Sequence, residues 1–295
     1  MEQVEIFETT PRDGLQNEKF ILSTEEKLKL IHGLVDGGFR EIEVGSFVNP
    51  KAVPQMAGTG ELFRVLPAAP GVTYYGLVPN RKGYELALEA GCRHVGYVLG
   101  VTETMNQRNV RMSVAESFAQ LEAIREMARR DGVRLRAYLA VIFHCPFEGP
   151  TDPEKALEWI RKMADQGVED ICLADTDGNA APERTAALLD QAQPVLANMG
   201  YNGMLSLHLH NTYGYALRNA RLALERGIRR FDAATAGLGG CPFVPGAKGN
   251  IPTEELVQLC HKEGYATGID QAKLAALSRW LVGLKAQKQT VNSNQ

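Results

Sequence analysis

The feature that most limits what this chain can fold into is a repeated alternation of short apolar runs with amphipathic stretches. The runs are Val4–Glu8, Glu41–Val44, Thr73–Val78, His94–Leu99, Arg134–Phe143, Glu169–Leu173, Met204–Leu209 and Arg230–Thr235, eight in all. Each has the length of a strand and is bounded by turn-forming residues. Helix-length segments stand between them. Ser23 opens the first, with Glu26 three residues on as a capping box, and the segment stops near Asp36 at Gly37-Gly38. Others span Arg81–Ala90, Ser113–Arg130, Asp152–Gln166, Pro182–Leu196 and Tyr213–Arg226. Eight strands alternating with helices predict an α/β fold, a (β/α)8 TIM barrel, rather than an open doubly wound sheet. Helix-to-strand connections are short and end on glycine (Gly38, Gly91, Gly132, Gly167, Gly227). The strand-to-helix loops are longer and polar, which places chemistry at the C-terminal face of the barrel. A Gly-rich loop after strand 8 leads into a helix over Thr253–Lys262, and an additional C-terminal helical stretch, Asp270–Lys288, is expected to pack outside the barrel. Residues 1–288 then form one catalytic domain, and 289–295 a disordered tail.

Composition narrows the function classes. With 295 residues the chain can bury a full core, and its 44% hydrophobic and 23% charged content is that of a soluble globular protein. A net charge of −3 with acids and bases dispersed offers no nucleic-acid face. No apolar run approaches the ~20 residues of a membrane span. The N-terminus MEQVEIFETT is acidic and strand-like, so neither a signal nor a transit peptide is evident. Cys92, Cys145, Cys172, Cys241 and Cys260 are odd in number and lack CxxC spacing, which argues against a disulfide framework and a structural zinc knuckle. The expectation is a reduced, cytoplasmic enzyme without nucleic-acid or membrane partners. A homodimer is compatible with its size.

Polar residues gather at the predicted strand ends. In Leu205-Ser206-Leu207-His208-Leu209-His210 the period of two puts His208 and His210 on one face, about 7 Å apart. Arg12 and Asp13 follow strand 1, Glu43 ends strand 2, Asp175 follows strand 6, and Cys241 and Asn250 follow strand 8. Each has a plain structural explanation: a hydrogen-bonded imidazole pair, an exposed turn, a core ion pair, a helix N-terminal acid, a small buried thiol. A barrel brings them together, and carboxylate, two imidazoles and an amide oxygen form a donor set suited to Mg2+ or Mn2+.

The same residues carry a family resemblance. Pro11-Arg12-Asp13-Gly14-Leu15-Gln16-Asn17-Glu18, Ser46-Phe47-Val48-Asn49-Pro50-Lys51-Ala52-Val53-Pro54-Gln55-Met56 and Gly237-Leu238-Gly239-Gly240-Cys241-Pro242-Phe243 resemble motifs of the 3-hydroxy-3-methylglutaryl-CoA lyase family. His208-x-His210 and Gly246-Ala247-Lys248-Gly249-Asn250 stand where that family has its other metal motifs, and the likeness runs from about Val4 to Ala286. It implies a metal-dependent retro-Claisen cleavage of 3-hydroxy-3-methylglutaryl-CoA to acetyl-CoA and acetoacetate. Asp13, His208, His210 and Asn250 would hold a divalent cation that acidifies the substrate hydroxyl. Arg12 would stabilise the enolate oxygen, Cys241 would protonate the enolate carbon, and Glu43 and Asp175 would orient Arg12 and the histidines or relay protons. Arg108, Asn109 and Arg111, in the segment after strand 4, would meet CoA.

The chain departs from the family pattern at four places near the expected acyl site. Asp177 stands where an apolar residue is usual, Asn179-Ala180 where a small-glycine pair is usual, Phe143-His144 where smaller residues are usual, and Thr9-Thr10 replaces a more apolar lead. An acid such as Asp177 beside the metal site requires a nearby cation or repels an anionic substrate arm. Alternatives are therefore a lyase for citramalyl-CoA or a longer-branched hydroxyglutaryl-CoA, or a related Claisen-type synthase or aldolase. A metal-dependent hydrolase normally carries its histidine pair on strand 1. A non-catalytic CoA-binding barrel would not need the metal set and cysteine.

Overall fold

The structure is a computed structural model that describes residues 1–240 and 248–293. Eight parallel strands close a barrel: β1 (Glu5–Glu8), β2 (Glu41–Ser46), β3 (Thr73–Leu77), β4 (His94–Gly100), β5 (Arg134–Ala140), β6 (Asp170–Asp175), β7 (Met204–Leu209) and β8 (Arg230–Ala233). Neighbours in sequence are neighbours in the sheet, and β1 pairs with β8 from Glu5↔Arg230 to Glu8↔Ala233 to complete the circle. The α-helices among the described residues are α1 (Thr24–Asp36), α2 (Thr59–Arg64), α3 (Arg81–Glu89), α4 (Glu103–Val110), α5 (Val114–Asp131), α6 (Pro153–Asp165), α7 (Pro182–Asn198), α8 (Ala216–Glu225), α9 (Thr253–Lys262) and α10 (Gln271–Ser293). None is long and apolar enough to cross a membrane.

The helix signals act as local chemistry dictates. Both halves of the Ser23/Glu26 capping box form, and α5 has a second one in Ser113/Glu116. Gly132 caps α5 in the left-handed conformation, where a side chain would strain the turn.

The structure corrects two boundaries. The apolar run from Arg134 leaves the sheet at Ala140, because Val141 has φ +55°. That conformation is unusual for a β-branched residue. It is held by bonds from Val141 N to Thr176 Oγ1 (2.9 Å) and from Thr151 Oγ1 to Val141 O (2.7 Å). Val141, Ile142 and Phe143 are nonetheless buried, so their apolarity marks a buried loop rather than more strand. At the other end, residues 289–293 continue α10 instead of forming a disordered tail. Ion pairs Lys285–Glu18 (2.7 Å) and Lys288–Glu26 (2.8 Å) tie that helix down.

The bore of the barrel is charged. Arg136 on β5 pairs with Asp170 on β6 (2.8 Å) and Asp232 on β8 (2.5 Å). Arg230 on β8 pairs with Asp170 (3.3 Å) and Glu41 (3.1 Å). These side chains are nearly all sealed from solvent, and the ion pairs share the bore with the rings of Phe7 and Tyr138.

Candidate active site

Asp13 leaves the barrel in a single π-helical turn, Thr10–Gly14, directly after β1. Such turns favour functional sites because they re-aim side chains. Asp13, His208 and His210 together offer ligand atoms within 4.8 Å of one another. The two imidazole Nε2 atoms face each other at 3.0 Å, with Asp13 Oδ2 3.8 Å from His208 Nε2 and 3.6 Å from His210 Nε2. Asn250 completes the group. Its Nδ2 lies 2.7 Å from Asp13 Oδ2, while its Oδ1 is buried without a partner. The backbone brings it there through the bridge His210↔Asn250 and the bond from Ile251 N to Leu209 O (2.8 Å). The glycines of this loop leave room for that approach. A Cβ on Gly239 would stand 2.5 Å from Asn250 Nδ2, and one on Gly249 would stand 2.6 Å from Gly237 O and Gly239 O.

The electrostatics suit a cation. Burial would raise the Asp13 carboxyl, but the Arg12 charge and the two imidazoles hold it well below the usual range. Burial pushes His210 down, toward the neutral form that can ligate. His208 Nδ1 meets Asp232 Oδ2 at 3.0 Å, and a carboxylate can only accept there, so the neutral tautomer this contact favours has its lone pair on Nε2, facing the cluster. Two facing imidazole nitrogens, a carboxylate and an unpartnered buried amide oxygen fit a divalent ion.

Arg12 lies beside this group. Its Nε donates to Glu43 Oε2 (2.5 Å) and its Nη1 to Asp13 Oδ1. Tyr138 donates to the other Glu43 oxygen at 3.1 Å. Glu43 is fully buried, and burial raises its carboxyl despite the opposing Arg12 charge. Its place is behind Arg12, which it orients.

Arg12, Asp13, His208 and His210 form one side of a cavity of about 230 Å3. Leu77, Val98, Ala140 and Ala174 supply apolar wall, and Asn109 and Gly240 also line it. A separate cavity of about 380 Å3, between α6 and α7, shares none of these residues.

Three expectations fare differently. Asp175 is not brought to the cavity. Its neighbours Ala174 and Thr176 line the wall, and alternation turns Asp175 outward, where it accepts from Ala180 N at 3.1 Å. Of the CoA candidates on and after α4, only Asn109 lines the cavity. Arg108 stacks on Phe147 (4.3 Å), and Arg111 is exposed beyond the helix end. Cys241 lies outside the described residues.

The departures from the family pattern prove to be partners. His144 Nδ1 meets Asp177 Oδ2 at 2.6 Å, and Asn179 Nδ2 lies 3.3 Å from His144 Nε2. Asp177 is buried, His144 supplies the hydrogen-bond partner for its carboxylate, and Thr176 rather than Asp177 faces the cavity. Thr10 likewise bonds to Glu8, while its hydroxyl accepts from Thr235 N at 2.7 Å. Arg136, Tyr138 and Asp232 carry no motif and escape a motif-based reading. Their signal is charge at mid-strand positions in Arg134-Leu135-Arg136 and Phe231-Asp232-Ala233.

Comparisons with known proteins agree with this geometry. A family model described as HMGL-like matches residues 3–281. The chain is 41% identical to the hydroxymethylglutaryl-CoA lyase of Pseudomonas mevalonii, over 100% of this chain and 96% of that one. It is 42% identical to the (R)-citramalyl-CoA lyase of Chloroflexus aurantiacus, over 95% of this chain and 90% of that one. A structure of an HMG-CoA lyase from Acinetobacter baumannii with coenzyme A and 3-methylmalate is 40% identical, covers 96% of this chain and 92% of its own, and superposes with a TM-score of 0.89.

Proposed function

This chain belongs to the HMGL-like family, as a carbon–carbon lyase, and from that premise we propose that it cleaves 3-hydroxy-3-methylglutaryl-CoA to acetyl-CoA and acetoacetate. The observation that carries the reading is the convergence of Asp13, His208 and His210 at a cavity that Arg12 also lines, with Asn250 bonded to Asp13 beside them. A divalent cation bound there, Mg2+ or Mn2+, supplies Lewis acidity to the substrate's tertiary hydroxyl. Loss of the hydroxyl proton to solvent lets the bond between C2 and C3 break, the alkoxide becoming the ketone of acetoacetate and the electron pair of the broken bond passing to the thioester as an enolate. Arg12, kept cationic and aimed by Glu43, stabilises the enolate oxygen. Cys241 returns a proton to C2, which completes acetyl-CoA without water or a redox partner.

Asn109 meets the pantetheine arm, and Arg108 and Arg111, outside the cavity, are assigned to the CoA phosphates. The coenzyme A bound to the Acinetobacter protein supports an acyl-CoA ligand. A cytoplasmic setting, a role in leucine catabolism and a homodimer belong to the same reading. The direct test is acetyl-CoA release from 3-hydroxy-3-methylglutaryl-CoA by metal-free protein before and after Mn2+ or Mg2+ is restored. Absence of product under both metals would refute the substrate. Citramalyl-CoA is the second reading, favoured by the 42% identity to the Chloroflexus enzyme, and it goes into the same assay.

A further inference from the structure

Arg136 touches neither the cavity nor the metal cluster, yet both halves of the reaction centre lead back to it. Its Nη2 donates to Asp232 Oδ1 (2.5 Å), and Asp232 Oδ2 meets His208 Nδ1 (3.0 Å). Its Nη1 donates to Tyr138 Oη (3.0 Å), Tyr138 donates to Glu43 Oε1 (3.1 Å), and Glu43 Oε2 accepts from Arg12 Nε (2.5 Å). The remaining contacts are the ion pair from Nε to Asp170 (2.8 Å) and a bond to Ser206 Oγ (3.1 Å), with Phe7 and Tyr138 stacked on the guanidinium at 4.0 and 4.5 Å. The side chain is 1% exposed, so bulk solvent does not reach these bonds.

A guanidinium has only donors, and that sets the direction of both chains. Because Tyr138 must accept from Arg136, its single proton is left for Glu43, and Glu43 keeps its other oxygen for Arg12. Because Asp232 gives one oxygen to Arg136 and remains an anion, the other takes the Nδ1 proton of His208 and frees Nε2. We infer that Arg136 is a positioning residue that sets the polarity of both networks, one fixing the ligating form of His208 and the other the orientation of Arg12. The inference rests on the proposed roles of His208 and Arg12 in the lyase.

Three full-length variants separate the arms: Asp232→Asn cuts the one to His208, Tyr138→Phe the one to Arg12, and Arg136→Lys weakens both. Two quantities are measured on variants whose circular dichroism and melting match the parent's. One is the Mn2+ dissociation constant, from calorimetry on metal-free protein. The other is kcat on 3-hydroxy-3-methylglutaryl-CoA at saturating Mn2+. Asp232→Asn should weaken Mn2+ binding by about 10- to 100-fold. Tyr138→Phe should lower kcat about tenfold and leave Mn2+ affinity within about twofold. Arg136→Lys should do both. Arg136→Lys with both quantities near the parent's, or Tyr138→Phe and Asp232→Asn moving the same quantity alike, overturns the inference. If Arg136→Lys does not fold, the split between the other two decides it. A parent protein that binds no Mn2+, or an Asp13→Ala variant that binds it equally well, overturns the lyase reading itself.

Discussion

Glu8 ends β1 with no exposed surface and is held by Thr10 N (3.2 Å), the Thr10 hydroxyl, Thr235 N (3.1 Å) and Thr253 Oγ1 (2.7 Å). Burial outweighs those four donors and raises its carboxyl from 4.5 to about 7. Between those values the native state holds a proton that the unfolded chain has released, so stability falls as pH rises. At ~1.4 kcal/mol per pH unit the loss amounts to about 3 kcal/mol by slightly alkaline pH. Glu8→Gln is isosteric: its amide oxygen can still accept from Thr10 and Thr235, and its NH2 can donate to the Thr253 hydroxyl. It removes the titration and keeps the shape. Urea unfolding of parent and variant across this pH range, taken as a difference, cancels every other titrating group. The variant should match the parent near pH ~4 and exceed it by up to about 3 kcal/mol near pH ~8. A flat difference, or one of opposite sign, would refute the assignment of that proton to Glu8.

Other perturbations test separate parts of the structure. Arg12→Lys keeps the charge and loses the fork that joins Glu43 to Asp13, so kcat should fall by about 10²- to 10³-fold with the circular dichroism unchanged. A loss under tenfold would remove Arg12 from enolate stabilisation. His144→Ala leaves the buried Asp177 carboxylate without this hydrogen-bond partner and should cost about 1–3 kcal/mol, reduced because His144 is partly exposed. In a double-mutant cycle with Asp177→Asn the two changes should be non-additive by about 1 kcal/mol, and strict additivity would deny the pair any net value. Ser113→Ala breaks one capping box and should cost about 1 kcal/mol in urea unfolding without altering kcat.

What the sequence reveals and what it conceals follow from whether a signal is local. Capping boxes, glycine stops and strand alternation are local, so the barrel and its order of elements are legible, and with them the meeting of Asp13, His208, His210 and Asn250 at strand ends. Val141–Phe143 misleads because burial in a loop and burial in a strand have the same composition. Facing is harder to read. Ala174 pairs with His208 across the sheet, and once that register is known, the alternation that aligns the two histidines also turns Asp175 out of the cavity. On α4 each residue rotates by about 100°, so Asn109 can face the cavity while Arg108 beside it does not. Arg136 and Asp232 are 96 residues apart, and nothing local marks them as partners; only closing the barrel opposes them. The departures teach the same lesson from the other side. His144 and Asp177 each look like a misfit when judged alone, and an acid at 177 by itself opposes an anionic substrate arm. Joined at 2.6 Å they become one pair, Asp177 buried and His144 half-buried, linking the loops after β5 and β6, while Thr176 keeps the cavity wall. Two substitutions that compensate each other beside the cavity change its frame without entering it, and for that reason they leave the lyase reading intact.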